Sequence, residues 1–489
     1  MILQYLLEDL KIEEVIGKTD IKINKIEYDS KKIVKDDIFI AITGFEYNGK
    51  DYILEAIKNG ATVIITDTKY IDDNITVVIV HDTRIAMSEI ASKFYGNPKD
   101  KLKLIGITGT KGKTTTAYMI RDIMLNAGKK IGMIGTIYTT YNDVIIDSTR
   151  TSPESLDLHK LLKDMVDNDI EYVVMEVSSH ALELNRVYGL HFVTCVFTNL
   201  SEEHLDFHET MDNYLIAKSK LFKMTDFALI NGDDKYSNEL IKLIDCKIAK
   251  FGLDNEVNIT ASDVRINASY TEFKMYINKM LETITIKIPG RYTVYNAIAA
   301  IGVCSMFNIQ MDSIITALSN LKVPGRSEVV DINKTFTVIV DYAHNPSSME
   351  AILASTKRYA KGRIITVFGC GGNRDKSKRS VMGEISGKYS NFTVITTDNP
   401  RKENYKNICR EIEVGIKNTS GLYKIIENRH DAIAFAMRIA WKNDIVLVLG
   451  KGHETYQILG DKTINFDDRE VVKQIASEMN DKNIEEEVN

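Results

Sequence analysis

At 489 residues the chain exceeds the size at which a single hydrophobic core keeps growing, so two to four domains are expected. Hydrophobic residues make up 44% and charged residues 27%, which excludes a largely disordered or fibrous chain. A formal charge of −6 and a pI near 5.9 supply no cationic field for a nucleic acid backbone, so nucleic acid is not expected as a partner.

Short β-rich runs, 36-DDIFIAI-42 and 61-ATVIITD-67, alternate with helix-like stretches up to about residue 100, the pattern of a small N-terminal α/β domain. The segment 96-GNPKD-100 reads as a linker. A buried-strand run, 102-LKLIGIT-108, then enters a Gly/Thr/Lys loop and a helix over 114–127, followed by strands at 131–135, 172–177, 192–200 and 227–231. Alternating short runs between about 258 and 288 predict a β-meander appended to the central sheet, and helical spacing covers 293–319. After a turn-like 323-VPGR-326, strands at 335–341, 363–369, 392–398 and 444–450 are separated by helix-length segments, which predicts a doubly wound, Rossmann-like C-terminal domain. The fold class is therefore α/β with three domains: 1–100, a P-loop ATPase-like 101–323 carrying the meander, and 324–489. The acidic tail 485–489 is expected to fray.

Five widely spaced cysteines form no C-x-x-C pair and point to a reducing cytoplasm. The N-terminus has no basic n-region before its apolar residues, and no apolar run reaches 18 residues, so neither export nor membrane insertion is expected.

The stretch 106-GITGTKGKTTT-116 brings backbone N–H groups close to phosphate oxygens, with Lys113 in reach of the terminal phosphates and the Thr114 hydroxyl suited to Mg²⁺. Ile107 stands where the generic phosphate loop has its first glycine. Glu176 ends an apolar strand, where a carboxylate is better explained as a Mg²⁺ ligand than as core. A lone His204 or Lys218 would by itself read as a structural or solvated residue.

The form G-x-T-G-T-x-G-K-T-T, together with 28-YDSKK-32, 176-EVSSHAL-182, 197-FTNLSEEHLDFH-208, 217-AKSKLF-222, 341-DYAHNP-346, 368-FGCGGNRDKSKR-379, 398-DNPR-401 and 450-GKGHETYQ-457, resembles the Mur ligases. The resemblance runs over nearly the whole chain and is nearest to the tripeptide-forming kind. It implies a cytoplasmic, monomeric enzyme of peptidoglycan precursor synthesis that binds ATP and Mg²⁺. That enzyme phosphorylates the D-glutamyl carboxylate of a UDP-muramoyl dipeptide and joins meso-diaminopimelate to it.

By the same resemblance Lys113, His204 and Lys218 are catalytic, and Lys218 carries a CO₂-derived carbamate that turns a cation into a metal-binding anion. The metal set is Thr114, Glu176, His204 and Lys218. ATP falls to Gly109, Thr110, Lys111, Gly112, Lys113, Thr114, Thr115, Asn296 and Arg326, and the UDP-muramoyl peptide to Ser30, Thr151, Ser152, Ser178 and Arg186. Diaminopimelate falls to Arg374, Asp398, Asn399, Pro400, Arg401, Gly450 and Glu454. A buried Arg401 would pair with its distal carboxylate while Asp398 or Glu454 receives its ammonium, and L-lysine would leave that guanidinium unpaired.

Lys111, Ser152, Leu184, Thr293 and Asn373 depart from the residues usual in the family, and Leu184 lacks the amide expected there. Within the superfamily the competing assignments are another Mur ligase or a folylpolyglutamate synthase. Outside it, a P-loop ATPase switch or a silent binding homologue would share the loop.

Overall fold

A computed structural model describes residues 1–44, 48–277 and 280–487. The chain divides into two compact units, Met1–Ile259 with Ala299–Ile309, and Thr260–Ile298 with Gln310–Asn489.

The first unit holds two sheets. The smaller has the order Ile12–Ile16, Thr76–Val80, Ala61–Thr66, Asp37–Ile40, Ile26–Glu27, parallel except for its first strand. Its inner strands Thr76–Val80, Ala61–Thr66 and Asp37–Ile40 are buried on both faces, as a sheet covered on both sides requires. Ile38, Ile40, Val63 and Ile65 pack with Leu3, Leu6, Met87 and Ile90, while the alternate residues Phe39, Ala41 and Ile64 pack with Ile53 and Ala56.

The second sheet is built around Lys103–Thr108, which lies between Tyr172–Glu176 and Phe192–Phe197 with all three parallel. Phe227–Asn231 and Lys247–Gly252 continue it on one side and Ile131–Ile134 on the other. An antiparallel hairpin, Tyr138–Tyr141 with Val144–Asp147, extends it past Ile131–Ile134 and turns on Asn142 at φ +46°. Register decides the chemistry here. Glu176 pairs with Ile107 and Phe197 with Thr108, so the carboxylate and the loop after Phe197 both arrive at the strand end where the phosphate loop begins.

The second unit contains the meander Ile259–Ile266, Thr271–Ile277, Met280–Ile286, in which neighbouring strands are antiparallel. The helical spacing over 293–319 proves to be two helices, Arg291–Ser305 and Met311–Asn320, separated where Asn308 takes φ +54°. A six-stranded sheet follows in the order Glu328–Val330, Thr337–Asp341, Ile445–Leu449, Ile364–Phe368, Phe392–Ile395, Tyr423–Ile425, parallel except for its first strand. Val338, Val340, Val446 and Val448 face the helices Arg429–Arg438 and Asp468–Glu487; Ile339, Ile445 and Leu447 face Pro346–Tyr359, Ser377–Tyr389 and Tyr405–Lys417. Both faces are thus covered, which is the doubly wound arrangement.

The tail expected to fray is helical as far as Glu487, and 488–489 lie outside the described residues. Among the described residues no helix is long and apolar enough to cross a membrane.

Candidate functional site

The phosphate loop leaves the strand Lys103–Thr108 through Gly109, whose φ of +145° and whose contact with Thr198 both exclude a side chain: a Cβ there would lie 1.9 Å from Thr198 Oγ1. Two residues not anticipated from the sequence hold the loop in shape. Thr198 Oγ1 donates to Lys111 O at 2.7 Å, and the Asn199 side chain bonds both Lys111 N (3.0 Å) and Lys111 O (2.9 Å). They belong to 197-FTNLSEEHLDFH-208, so the signal was a motif whose turn geometry was not legible. Gly112 starts the helix Lys113–Asn126 with no side-chain cap, leaving the first turn's N–H groups at the loop, and buried Thr115 sits in that turn.

Lys113 Nζ folds back onto Gly109 O (2.8 Å) and Thr110 O (3.0 Å), and Lys218 Nζ reaches the same Gly109 O at 2.9 Å. The solvated surface position that Lys218 taken alone would suggest is therefore set aside: it is 1% exposed and lies 4.4 Å above the Tyr214 ring. Burial, reinforced by the like charge of Lys113, pushes its ammonium well below the ordinary lysine range. A neutral amine is the form that can capture CO₂.

Glu176, 1% exposed, accepts three bonds: Thr136 N to Oε1 at 2.8 Å, and Thr136 Oγ1 (3.0 Å) and Thr114 Oγ1 (2.9 Å) to Oε2. A hydroxyl and a carboxylate in hydrogen-bond contact suit Mg²⁺, which takes hard oxygen donors and is held by one or two carboxylates while phosphates and water complete its shell. Among the described residues no three His, Cys, Asp or Glu side chains gather as a metal group, so the hard oxygen donors at this point are the Thr114 hydroxyl and the Glu176 carboxylate. His204, at φ +58°, packs edge-on to His180 at 4.9 Å and senses the charges of Lys113 and Lys218. Burial lowers its pKa first, keeping the imidazole neutral.

Four of the five residues assigned to the nucleotide-sugar come together. Thr151 Oγ1 meets Thr136 Oγ1 at 3.1 Å, Ser152 Oγ donates to Glu176 O at 2.9 Å and accepts from Ser178 N at 3.1 Å, and Arg186 Nη1 donates to Ser152 O at 3.4 Å. Ser30 does not join them: its hydroxyl donates to Glu55 Oε2 at 2.5 Å, on the helix Ile53–Asn59. Leu184 only closes the helix Ser179–Glu183.

In the second unit the diaminopimelate candidates collect beyond the carboxyl ends of the strands Phe392–Ile395 and Ile445–Leu449. Asn399 Nδ2 donates to Glu454 Oε2 at 2.9 Å and its Oδ1 accepts from Ile458 N at 2.9 Å. Arg401, at φ +52°, donates through Nη1 to Gly372 O (3.0 Å) and Asn399 O (3.4 Å). Arg401 is half-buried, where full burial was expected; its loop stands at the rim, beyond the last strand residue. Arg374 is exposed on the neighbouring loop, Asp398 Oδ1 accepts from Asn399 N at 2.7 Å, Pro400 is buried, and Gly450 N donates to Asp341 O at 3.1 Å.

Sequence reasoning missed the buried charges beneath this loop pair. Lys451, 0% exposed, donates to Glu454 Oε2 at 2.9 Å; Arg429 grips Asp468 through two 2.7 Å bonds and satisfies Thr397 O and Leu449 O at the strand ends. Arg379 holds Glu403 with two 2.8 Å bonds, and Glu403 also accepts from Asn373 N. Basic residues inside helical or Gly-rich segments look solvated in sequence, and only burial distinguishes these. Of the ATP candidates in this unit, Asn296 is buried on Arg291–Ser305, and the Arg326 guanidinium lies 4.9 Å over the Tyr342 ring with its Nε buried and without a partner.

Three family descriptions match successive segments of the chain: the Mur ligase family catalytic domain over 22–95, the Mur ligase middle domain over 107–304, and the Mur ligase glutamate ligase domain over 325–452. The chain is 48% identical to the UDP-N-acetylmuramoyl-L-alanyl-D-glutamate--2,6-diaminopimelate ligase of Caldanaerobacter subterraneus subsp. tengcongensis, over 97% of its own length and 98% of the relative's. It is 45% identical to the protein named UDP-N-acetylmuramoyl-L-alanyl-D-glutamate--2,6-diaminopimelate ligase 1 of Clostridium acetobutylicum, over 98% and 100%. A solved structure of a ligase of the same name superposes with a TM-score of 0.72 at 27% identity, covering 98% of this chain and 99% of that one. The MurF ligase of Thermotoga maritima, solved in complex with ADP, shares the fold with a TM-score of 0.59 at 19% identity, covering 95% and 98%. With all three family segments in order and near full-length identity approaching one half, the chain belongs to the Mur ligase family.

Proposed function

We propose that this Mur ligase joins meso-2,6-diaminopimelate to the D-glutamyl residue of UDP-N-acetylmuramoyl-L-alanyl-D-glutamate at the expense of ATP, forming the tripeptide precursor of peptidoglycan in the cytoplasm. The γ-phosphoryl group of ATP passes to the D-glutamyl carboxylate and ADP leaves; the amine then attacks the acyl carbon, inorganic phosphate departs and one proton is released. The domains divide the labour as 1–100 for the nucleotide-sugar, 101–323 for ATP and 324–489 for the amino acid, on a single monomeric chain. Five free cysteines, four of them buried, suit a reducing compartment.

The Gly109–Thr115 loop and the start of its helix cradle the phosphates, and Lys113 moves from its loop carbonyls to the transferring group, offsetting charge as two anions approach. Thr114, Glu176, His204 and the carbamate of Lys218 would hold Mg²⁺, which supplies charge neutralisation and orientation to the transferring phosphoryl group. Lys218 forms the carbamate when its neutral amine bonds to CO₂ and releases a proton. Asn296 and Arg326 complete the ATP site, and Thr151, Ser152, Ser178 and Arg186 hold the muramoyl peptide, with Ser30 at the uridine end.

The reading is carried by the Asp398–Arg401 loop resting against Glu454, in a chain so close to relatives named for this reaction. Diaminopimelate has a distal carboxylate for Arg401 to pair with, and L-lysine has none. The test incubates purified protein, ATP, Mg²⁺ and the UDP-muramoyl dipeptide with either amino acid and weighs the product by mass spectrometry. Diaminopimelate gives ADP and the lengthened nucleotide-peptide. Equal incorporation of L-lysine removes the specificity assignment, and ATP hydrolysis with no new peptide removes the ligase reading.

A further inference from the structure

Glu154 is 3% exposed, yet its carboxylate is the meeting point of a cluster of cations. Arg84 Nη1 donates to Oε2 and Arg186 Nη2 to Oε1, each at 2.9 Å, while Arg150 Nη1 stands 3.9 Å from Oε1 with its side chain 49% exposed. A buried carboxylate is retained only where partners repay its desolvation. Arg84 also holds the segment that follows the strand Asp37–Ile40 of the smaller sheet, where Nε and Nη2 both donate to Thr43 O at 3.1 and 2.9 Å. A second tether runs alongside: Asp82, which caps the helix Thr83–Phe94, accepts from Asn185 Nδ2 at 3.1 Å, next in sequence to Arg186. A polar chain thus runs from Thr43 through Arg84, Glu154 and Arg186 to Ser152, and from Ser152 to the backbone of Glu176.

Arg84, Arg150 and Arg186 all converge on Glu154, while the nearby carboxylates Asp82 and Asp157 are taken up by Asn185 and Tyr28. Arg186 Nε is buried without a hydrogen-bond partner. An unspent guanidinium donor, flanked by two further guanidiniums on one shared carboxylate, is complementary to an anion.

We propose that Glu154 is a positioning residue for the nucleotide-sugar: with Arg84 it fixes the Arg186 guanidinium so that its remaining edge meets an anionic group of the substrate, and it locks the smaller sheet to the loop carrying Thr151 and Ser152. This rests on the ligase reading above, but the position of Glu154 in the first unit makes its prediction selective. ATP and the amino acid are held by other residues, so only the nucleotide-sugar should feel the loss.

Steady-state kinetics of Glu154→Gln, which keeps the side chain's shape and removes its charge, should show KM for the UDP-muramoyl dipeptide raised about tenfold or more, the effect of one charge-assisted bond. KM for ATP and for diaminopimelate should stay within about twofold of the parent, and Glu154→Asp should recover part of the loss. Arg84→Met should raise the same KM, and combining it with Glu154→Gln should add less than the product of the two, because both act through Arg186. Calorimetric titration with the dipeptide nucleotide, and with UDP-N-acetylglucosamine as a pyrophosphate lacking the peptide carboxylates, identifies the anion: weakening of both points to the pyrophosphate, weakening of the dipeptide nucleotide alone to a peptide carboxylate. A kcat loss with an unmoved nucleotide-sugar KM, or an equal rise in all three KM values, overturns the proposal. A parent enzyme that makes no tripeptide overturns the ligase reading instead, and the titration with parent and variants still judges the clamp.

Discussion

Gly135→Ala places one methyl group against the buried Glu176 carboxylate. The ideal Cβ lies 2.5 Å from Glu176 Oε1 and 3.3 Å from its Cδ, and the φ at Gly135 is outside the left-handed range, so the backbone accepts alanine and the damage is confined to the contact. Oε1 must withdraw by most of an ångström, which breaks the 2.8 Å bond from Thr136 N and turns Oε2 away from Thr114 and Thr136 Oγ1. Each bond to a charged group is worth about 1.5–3 kcal/mol, so losing one where charge develops lowers kcat/KM by roughly 10- to 150-fold. The assay is ADP release with all three substrates across a Mg²⁺ titration, in which the half-saturating Mg²⁺ concentration should rise together with the loss of rate. A variant within twofold of the parent at every Mg²⁺ concentration refutes the placement of Glu176 beside the metal.

Lys218→Ala should abolish ADP formation and regain part of it on addition of acetate or formate, which replace the carbamate oxygens; no regain counts against the modification. Arg401→Met should lower kcat/KM for diaminopimelate by roughly 100-fold or more, as expected for an unpaired substrate carboxylate, while any trace rate with L-lysine stays unchanged. Asp468→Ala leaves the fully buried Arg429 without its counter-charge and should destabilise the protein by about 3–5 kcal/mol, read from urea denaturation; a loss below about 1 kcal/mol would contradict the pairing. Arg379 holds the Glu403 carboxyl down at about 2, so this glutamate's contribution to stability is complete above its ordinary pKa of about 4.3 and disappears as pH falls towards 2. Glu403→Gln should remove that part of the acid-limb slope in urea midpoints measured between these pH values.

Much of the architecture was legible because the inner strands of both sheets of the first unit and of the large sheet of the second are buried on two faces. Such strands must be written as continuous Val and Ile runs, and 102–108, 172–177 and 444–450 are readable as strands without any partner in view. The edge pieces were not: the hairpin Tyr138–Asp147 and the strand Glu328–Val330 are short and half-exposed, and carry no run long enough to separate them from loops. The phosphate loop, Glu176 and the Asp398–Arg401 loop were legible as motifs, since their chemistry is local to a few consecutive residues.

What the linear order of residues determined by itself is the buried inner strands and the chemical alphabet of the site: glycines for close approach, a lysine and a threonine at a helix start, a carboxylate closing a strand. Tertiary structure alone decided which charges are solvated and which are spent. Lys218, Arg379 and Arg429 all look like surface cations in the sequence, yet each is buried against a carbonyl or carboxylate contributed from elsewhere in the chain. The physical reason is that burial and pairing depend on distances between residues far apart in sequence, with Lys218 and Gly109 separated by 109 positions, and no local pattern encodes the dielectric around a side chain.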